Sequence, residues 1–314
     1  MTTVTLTLNP AIDLWSETEQ IRPNHKVRTI NDRYDPGGGG INVARVLHNF
    51  GAPVVAVALA GGVTGNLLGE LLDQEGVPHR LVETAGRTRI NHVVFERRTG
   101  HEFRFVLAGP PVSPAEIDEV LALIDTIPAT RLVVSGSLPP GLPGSVMGDI
   151  GRRAQARGIK VAVDTSGEAL PAAVASGTVD LLKVSLSELE SLAGRDLADP
   201  ADQERIARAL IAEGKVRRVA VSLGGDGAVL IGADGLWRRA APPVQAVSTV
   251  GAGDSFLAAL VWSLDRGDPP GEALAWGVAA GAAAVSKPGT RLCQFADVER
   301  IHGPAPAGIG RSPA

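Results

Sequence analysis

Apolar and polar positions along the chain follow two alternating rhythms. Short β-rich runs, among them "TVTLTLN" near the N-terminus and "VVAVALAG" at 54–61, give way to stretches with apolar residues three and four apart. One such stretch is "NLLGELLDQEG" at 66–76, where Gly76 marks a helix stop. The later series is the most regular: "RLVVSG", a helix near 144–157, "IKVAVD", a helix, "VDLLKVS", a helix, and "RRVAVSLG". Strand–helix alternation of this kind predicts an α/β fold, an open and mostly parallel sheet with helices on both faces. Right-handed crossovers then line the carboxyl ends of the strands along one edge, where such sheets bind ligands. Those ends read "VVSGSLPPG", "VAVDTSG", "LLKVSLSE" and "AVSLGGDG", rich in glycine and small hydroxyl residues.

Two regions break the rhythm. Residues 11–35 are polar and extended, with "HKVRTINDRYD" alternating like an edge strand, and residues 88–107 read as a hairpin turning at Thr99–Gly100. They form either a small second sheet, a candidate lid, or edge strands of the main one; pattern alone leaves both open. The tail from 303 to 314 is rich in Pro and Gly and reads as disordered.

Composition removes several function classes. With 44% hydrophobic and 20% charged residues over 314 positions, the chain has ample material for a large core. A net charge of −4, with no block of like sign, argues against a nucleic-acid or membrane-surface partner. No apolar run approaches the ~20 residues of a spanning helix. The first residues read as a strand and not as a signal peptide. The single cysteine, Cys293, excludes an internal disulfide; a reducing, cytoplasmic location is expected.

The sharpest chemical signal is "STVGAGDSFLAALVWSL", 248–264. A Gly-Ala-Gly turn opens an apolar-periodic helix, so its first amides are free to bind an anion. Asp254 in that first turn is either an ordinary helix-start carboxylate or a base for a hydroxyl attacking a bound phosphate. Other phosphate motifs are missing: there is no G-x-x-x-x-G-K-[ST], and Asn42 stands where "GGGGINVAR" would need the last glycine of a dinucleotide fingerprint. "SLGGDGAVLI" at 222–231 reads as a tight hairpin or a nucleotide cradle, and "SGSLPPG" at 135–141 as a rigid turn carrying Ser137. Glu188 could begin a helix or hold Mg²⁺ through water. Asp13 could fix a turn or accept from sugar hydroxyls, while Lys26, Arg28 and Arg89 are charges on the candidate lid. The four glycines at 37–40 are either slack or a bare backbone surface for a ligand.

In order along the chain, "TLTLNPAID", "PGGGGINVAR", "SGSLPPG", "VDTSGEAL", "VSLGGDGA", "STVGAGDSF", "GVAAGAAA" and "GTRLC" resemble the ribokinase-like PfkB family of carbohydrate kinases over nearly the whole length. The resemblance is greatest to the minor bacterial 6-phosphofructokinases, through "PGGGGINVAR" and "GTRLC". The 1-phosphofructokinases are close through "NPAID" and "GRTRIN", but tend to carry lysine where Gly39 stands. Tagatose-6-phosphate kinase is a further alternative, and a non-catalytic sugar-phosphate or nucleotide sensor is the alternative of another class.

The resemblance implies one kinase domain over 1–314, with a lid from about 11–35 and 88–107 that also clasps a homodimer. It implies ATP-dependent phosphorylation of the 1-hydroxyl of fructose 6-phosphate. Asp254 would be the base, and Gly251, Ala252 and Gly253 the anion hole. Asp13, Gly38, Gly39 and Asn42 would bind sugar hydroxyls, with Arg28, Arg89 and Ser137 toward the 6-phosphate. Lys26, Lys183, Ser185 and the loop Ser222, Leu223, Gly224, Gly225, Asp226, Gly227 would meet ATP, with Val278 and Ala282 at the adenine. Mg²⁺ would lie near Glu188. Ser248, Val250, Ala284, Lys287, Gly289 and Arg291 would hold a monovalent cation, K⁺, mostly through backbone oxygens. The stretch "KVSLSE" departs from the family's Lys-Pro-Asn-x-x-Glu: Val184 replaces proline and Ser185 asparagine, which implies weaker or water-bridged contacts there.

Overall fold

The β-rich runs become one large sheet and the helical rhythm the helices that cover it, while the two irregular regions join each other instead of the main sheet. The computed structural model describes residues 2–303; the expected disorder of the tail from 304 onward lies outside them. In the main sheet are β1 (Thr3–Thr7), β4 (Val54–Ala60), β5 (His79–Glu83), β8 (Arg131–Ser135), β9 (Lys160–Asp164), β10 (Val179–Ser185), β11 (Val216–Ser222), β12 (Ala228–Gly232) and β13 (Gly235–Arg239). Their order is β13-β12-β11-β10-β9-β8-β1-β4-β5, parallel except where β12 pairs with β11 and β13.

Successive strand residues point to opposite faces, and each face has its own core. Val133, Ala162, Leu181 and Ala220 pack under α1 (Gly39–Asn49), α8 (Ala252–Arg266) and α9 (Pro270–Val285), with α2 (Gly62–Gln74) and α10 (Phe295–His302) at the margin. Their neighbours Leu132, Val134, Val161, Val163, Leu182, Val184, Val219 and Val221 face the other way. That second face is covered by α3 (Pro114–Thr126), α4 (Val146–Ala156), α5 (Ala169–Ala175), α6 (Leu186–Ala193) and α7 (Pro200–Ala212). No helix among the described residues is long and apolar enough to cross a membrane.

A separate four-stranded sheet has the order β3-β2-β6-β7, from β2 (Ala11–Thr18), β3 (Ile30–Gly37), β6 (Arg89–Glu96) and β7 (His101–Phe105). This resolves the open choice in favour of a second sheet. The expected edge strand is shorter than its alternation suggested: pairing starts at Ile30, and residues 25–29 are irregular. Asn24 and Asn31, both with positive φ, bend the chain on either side of that segment.

Register gives the small sheet two distinct faces. Asp35, Asp13 and Asn91 form one row, and Arg33, Trp15, Val93 and Arg104 the next row on the same face. Between them runs a row of Tyr34, Leu14, His92 and Phe105, which points the opposite way. The first face looks onto the carboxyl edge of the main sheet: Arg33 and Asp35 both bond Thr290, and Trp15 lies against Gly289.

Candidate active site

Three elements converge on Asp254. Gly251, in the left-handed conformation at φ 69°, caps α8 without a side chain, so the first amides of the helix open onto the carboxyl edge. Helix α8 is fixed at both ends. At its last turn Asp265 receives Nε of Arg131 at 2.8 Å, a buried, two-pronged bond to β8. At its first turn Asp254 Oδ2 accepts from Asn42 Nδ2 at 2.9 Å. Asn42 is itself held, because its amide bonds Gly38 O and its Oδ1 receives Arg45.

The glycine run lets α1 come this close. Gly38 has φ 110°, and a Cβ on Gly39 would collide with Ser135 Oγ and lie 2.8 Å from the amide nitrogen of Gly136. The run is thus a tight junction between the start of α1 and the end of β8, not slack. It leaves backbone facing the same space as Asp13, whose carboxylate accepts from Asn91 at 2.9 Å and lies under Gly37.

Charge is concentrated here. Lys183, near the end of β10, pairs with Asp164, at the end of β9, at 3.0 Å, and both are largely buried. Burial opposes the charge on Lys183, but Asp164, with Asp254 and Glu188 behind it, outweighs this and holds the amine protonated. The same amine rests against Gly253, where a Cβ would lie 2.9 Å from Nζ. Asp254 is pushed up to about 6, first by burial and then by the charge of Asp164; the Asn42 bond and Lys183 pull the other way. Burial also raises the Asp13 carboxyl, against the Asn91 bond. The arrangement is an anion-accepting helix start, a fixed ammonium and a carboxylate of near-neutral affinity for protons: the parts that phosphoryl transfer to a hydroxyl needs.

The remaining expected residues are placed unevenly. Arg89 gives its three nitrogens to Pro10 O, Leu107 O and Asn9 O, tying the base of the small sheet together, so its guanidinium is engaged by backbone in this conformation. Ser137 is exposed beside Asn9 at 3.4 Å. Lys26 and Arg28 are exposed on the irregular segment before β3, and their side chains make no bond to the Asp254 cluster. Ser185 and Glu188 form a capping box at the start of α6, with Glu188 N at 3.3 Å from Ser185 Oγ and Ser185 N at 2.7 Å from Glu188 Oε2. Val184 continues β10, fully buried opposite Val221. Residues 222–227 are a tight turn between antiparallel β11 and β12, as the hairpin reading expected, and Ser185, Ser222, Leu223, Gly224 and Asp226 border one cavity of about 670 Å³. Gly225 and Gly227 complete that turn. Val278 and Ala282 lie on the buried side of α9.

The loops bearing Ser248, Val250, Ala284, Lys287, Gly289 and Arg291 meet where Val247 and Ser248 amides both bond Val285 O. The Lys287 ammonium turns to Asp297 on α10 at 2.5 Å. A second cavity, about 760 Å³, lies behind α1 between Arg33, Arg45, His48 and Cys293, away from Asp254. Sequence reasoning passed over Asp164 although it stood in "VDTSG": a carboxylate ending an apolar strand at the ligand edge was the available signal. Asn91, Glu102 and Thr290 carried none.

Residues 4–296 match the pfkB family carbohydrate kinases. The chain is 40% identical over 299 residues to the ATP-dependent 6-phosphofructokinase isozyme 2 of Escherichia coli, covering 95% of this chain and 97% of that one. It is 31% identical to the 1-phosphofructokinase of Borreliella burgdorferi, with 95% of each covered. The crystal structure of E. coli phosphofructokinase-2 with substrates and products superimposes at TM-score 0.92, 40% identity, covering 96% of this chain and 98% of that one. A second structure of that enzyme, its tetrameric inhibited form, gives 0.91 at 39% identity over 96% and 97%. This chain belongs to the pfkB family of carbohydrate kinases.

Proposed function

We propose that the chain phosphorylates the 1-hydroxyl of fructose 6-phosphate with ATP, giving fructose 1,6-bisphosphate. The observation that carries this reading is Asp254: a carboxylate with a pKa of about 6, held by Asn42 at the open start of α8. Asp254 accepts the hydroxyl proton as the new O–P bond forms and the bond to ADP breaks. Gly251, Ala252 and Gly253 receive the transferring group on backbone amides, and Lys183 stands beside them as a fixed positive charge. Asp13, Gly38, Gly39 and Asn42 orient the sugar; Arg89, Arg28 and Ser137 serve its 6-phosphate, Arg89 by exchanging carbonyl partners for phosphate oxygens. The 222–227 loop, Lys183, Ser185, Lys26, Val278 and Ala282 hold the nucleotide.

Support for fructose 6-phosphate over fructose 1-phosphate comes from the E. coli relative and from position 39, where Ser135 and Gly136 occupy the space in which a longer side chain would begin. The residues fit Mg²⁺ held through water and phosphate. Glu188 keeps one oxygen outside its capping box near Asp164, and no cluster of three acidic, His or Cys ligands exists among the described residues. Bound there, the ion offsets phosphate charge. A K⁺ site from the 248–250 and 284–291 carbonyls fits as well, since Lys287 is drawn off to Asp297; a structure of the E. coli relative is a potassium complex. Exposed Ile30, Tyr34, Phe103, Phe105, Val106 and Leu107 at the lid fit a second copy of this chain in a dimer; the inhibited form of the E. coli relative is tetrameric. A cytoplasmic location fits the lone buried Cys293.

Initial rates of ADP release with fructose 6-phosphate, fructose 1-phosphate and tagatose 6-phosphate test the reading. Fructose 6-phosphate is expected to give the highest kcat/KM. Preference for fructose 1-phosphate would move the chain to the 1-phosphofructokinases; binding without ADP release would make it a sensor.

A further inference from the structure

Strand β7 presents two charged residues on the face that looks onto the catalytic edge. Glu102 and Arg104 are two apart and so share that face, while Phe103 and Phe105 point the other way and are exposed. Glu102 Oε2 accepts from Ser248 Oγ at 2.9 Å, and Arg104 donates to Thr249 Oγ1 at 2.9 Å. The two lie 3.5 Å apart as an ion pair, with the Glu102 carboxylate mostly covered. Ser248 Oγ in turn accepts the Val250 amide at 3.3 Å. A hydroxyl has one proton, so by taking it Glu102 turns an oxygen lone pair toward Val250 and holds the 248–250 turn. That turn runs straight into Gly251, where α8 begins.

We propose that Glu102, braced by Arg104, is a positioning residue. From the lid it sets the Ser248 hydroxyl, and through it the approach of the chain to the Gly251–Gly253 turn, so the anion hole takes its working shape when the lid is seated. This rests on the kinase reading for the meaning of that turn. It adds that the lid acts on the anion hole through a side chain which carries no part of the substrate.

Four proteins test it: Glu102→Ala, Glu102→Gln, Ser248→Ala and the Glu102→Ala/Ser248→Ala double variant. Two readouts are taken on each, steady-state kinetics with fructose 6-phosphate and hydrogen exchange at the Val250 amide. Loss of one hydrogen bond to a charged acceptor predicts about a tenfold fall in kcat for Glu102→Ala. The KM for ATP should stay within about twofold, and Val250 exchange should rise by a similar tenfold. Glu102→Gln keeps an accepting oxygen and should restore most of both. The double variant should be no slower than the worse single one, because both act through the same hydroxyl. Unchanged Val250 exchange in Glu102→Ala overturns the proposal whatever the enzyme's substrate. So does faster exchange with an unchanged kcat, or additive losses in the double variant. A parent protein inactive on every sugar phosphate would instead overturn the kinase reading, and the exchange result would still decide whether Glu102 holds the turn.

Discussion

The carboxyl edge of the nine-stranded sheet and the four-stranded sheet proposed as the lid are held by opposite means. At the edge, Lys183, Asp164 and Ser135 stand on central parallel strands buried on both faces, and Asp254 on a helix fixed at each end. The lid is one sheet thick. It reaches the edge through a few side-chain contacts, Asp35 to Thr290, Arg33 to Thr290 and Glu102 to Ser248, while much of its other face is open. The buried charges thus stand where the backbone cannot give way, and in the proposed function the groups that admit or release a substrate stand where it can.

The largest expected effect breaks the edge. Asp254→Asn should lower kcat by about 10²–10⁴-fold while leaving ATP affinity nearly intact, measured by coupled ADP release and nucleotide titration. Near-normal turnover would remove Asp254 as the base. Its pKa also fixes the sign of two pH effects. As the proposed base, Asp254 must be ionised, so parent activity should fall as pH drops through about 6. Because burial raises this carboxyl above its unfolded value, its ionised form costs stability at neutral pH, and that cost vanishes once the solution falls below the unfolded value. Asp254→Asn should therefore be more stable than the parent at pH 8, by roughly 1–2 kcal/mol after screening of a partly open group, and no more stable at about pH 3.

The second effect sets edge and lid side by side. Lys183→Met leaves Asp164 buried and uncompensated and should cost about 3–5 kcal/mol in urea denaturation. Arg33→Gln loosens the lid contact to Thr290 and Asp35 from a residue one quarter exposed, and should cost only about 0.5–1.5 kcal/mol. Equal losses would mean that the lid is as much a part of the core as the edge. Between these lies Gly39→Ala. Its methyl meets Ser135 and Gly136, so about 1–3 kcal/mol should be lost, and Ser135→Gly should return part of it.

The edge was far more legible than the lid, for a physical reason. Continuous apolar runs ending in small polar residues appear only where both faces of a parallel strand are covered, so β8 to β11 and their ends could be read directly. The Gly-Ala-Gly turn at the start of α8 signals itself locally too. Lid contacts join residues far apart in sequence, such as Glu102 with Ser248 or Asp13 with Asn91, and no local rule encodes such pairs. Arg89 marks the limit: its oddness in the pattern was visible, but not that three backbone carbonyls hold it. Glu188 and Ser185 lie between these extremes, since Ser-x-x-Glu before an apolar helix is a capping signature whether or not a metal lies near. It also accounts for serine where the family tends to place asparagine, both being good helix caps.

The smallest expected effect on folding concerns the open face of the lid. Phe105 is 53% exposed, in the row with Tyr34, Leu14 and His92, and its ring lies 6.4 Å from that of His92. In the isolated chain, Phe105→Ser removes little buried surface, so monomer stability should move by no more than about 0.5 kcal/mol. If a second copy covers that face, the same change removes an aromatic anchor from a desolvated patch, which typically costs about 2 kcal/mol or more of association. Sedimentation at graded concentrations should then show a dissociation constant roughly thirtyfold weaker, with kcat per folded chain retained at high concentration. An unchanged assembly would mean that the exposed apolar row serves something other than self-association. A loss of kcat even in the fully assembled protein would mean that this face shapes the site as the Glu102 face does, and the contrast between the two sides of the lid would fall.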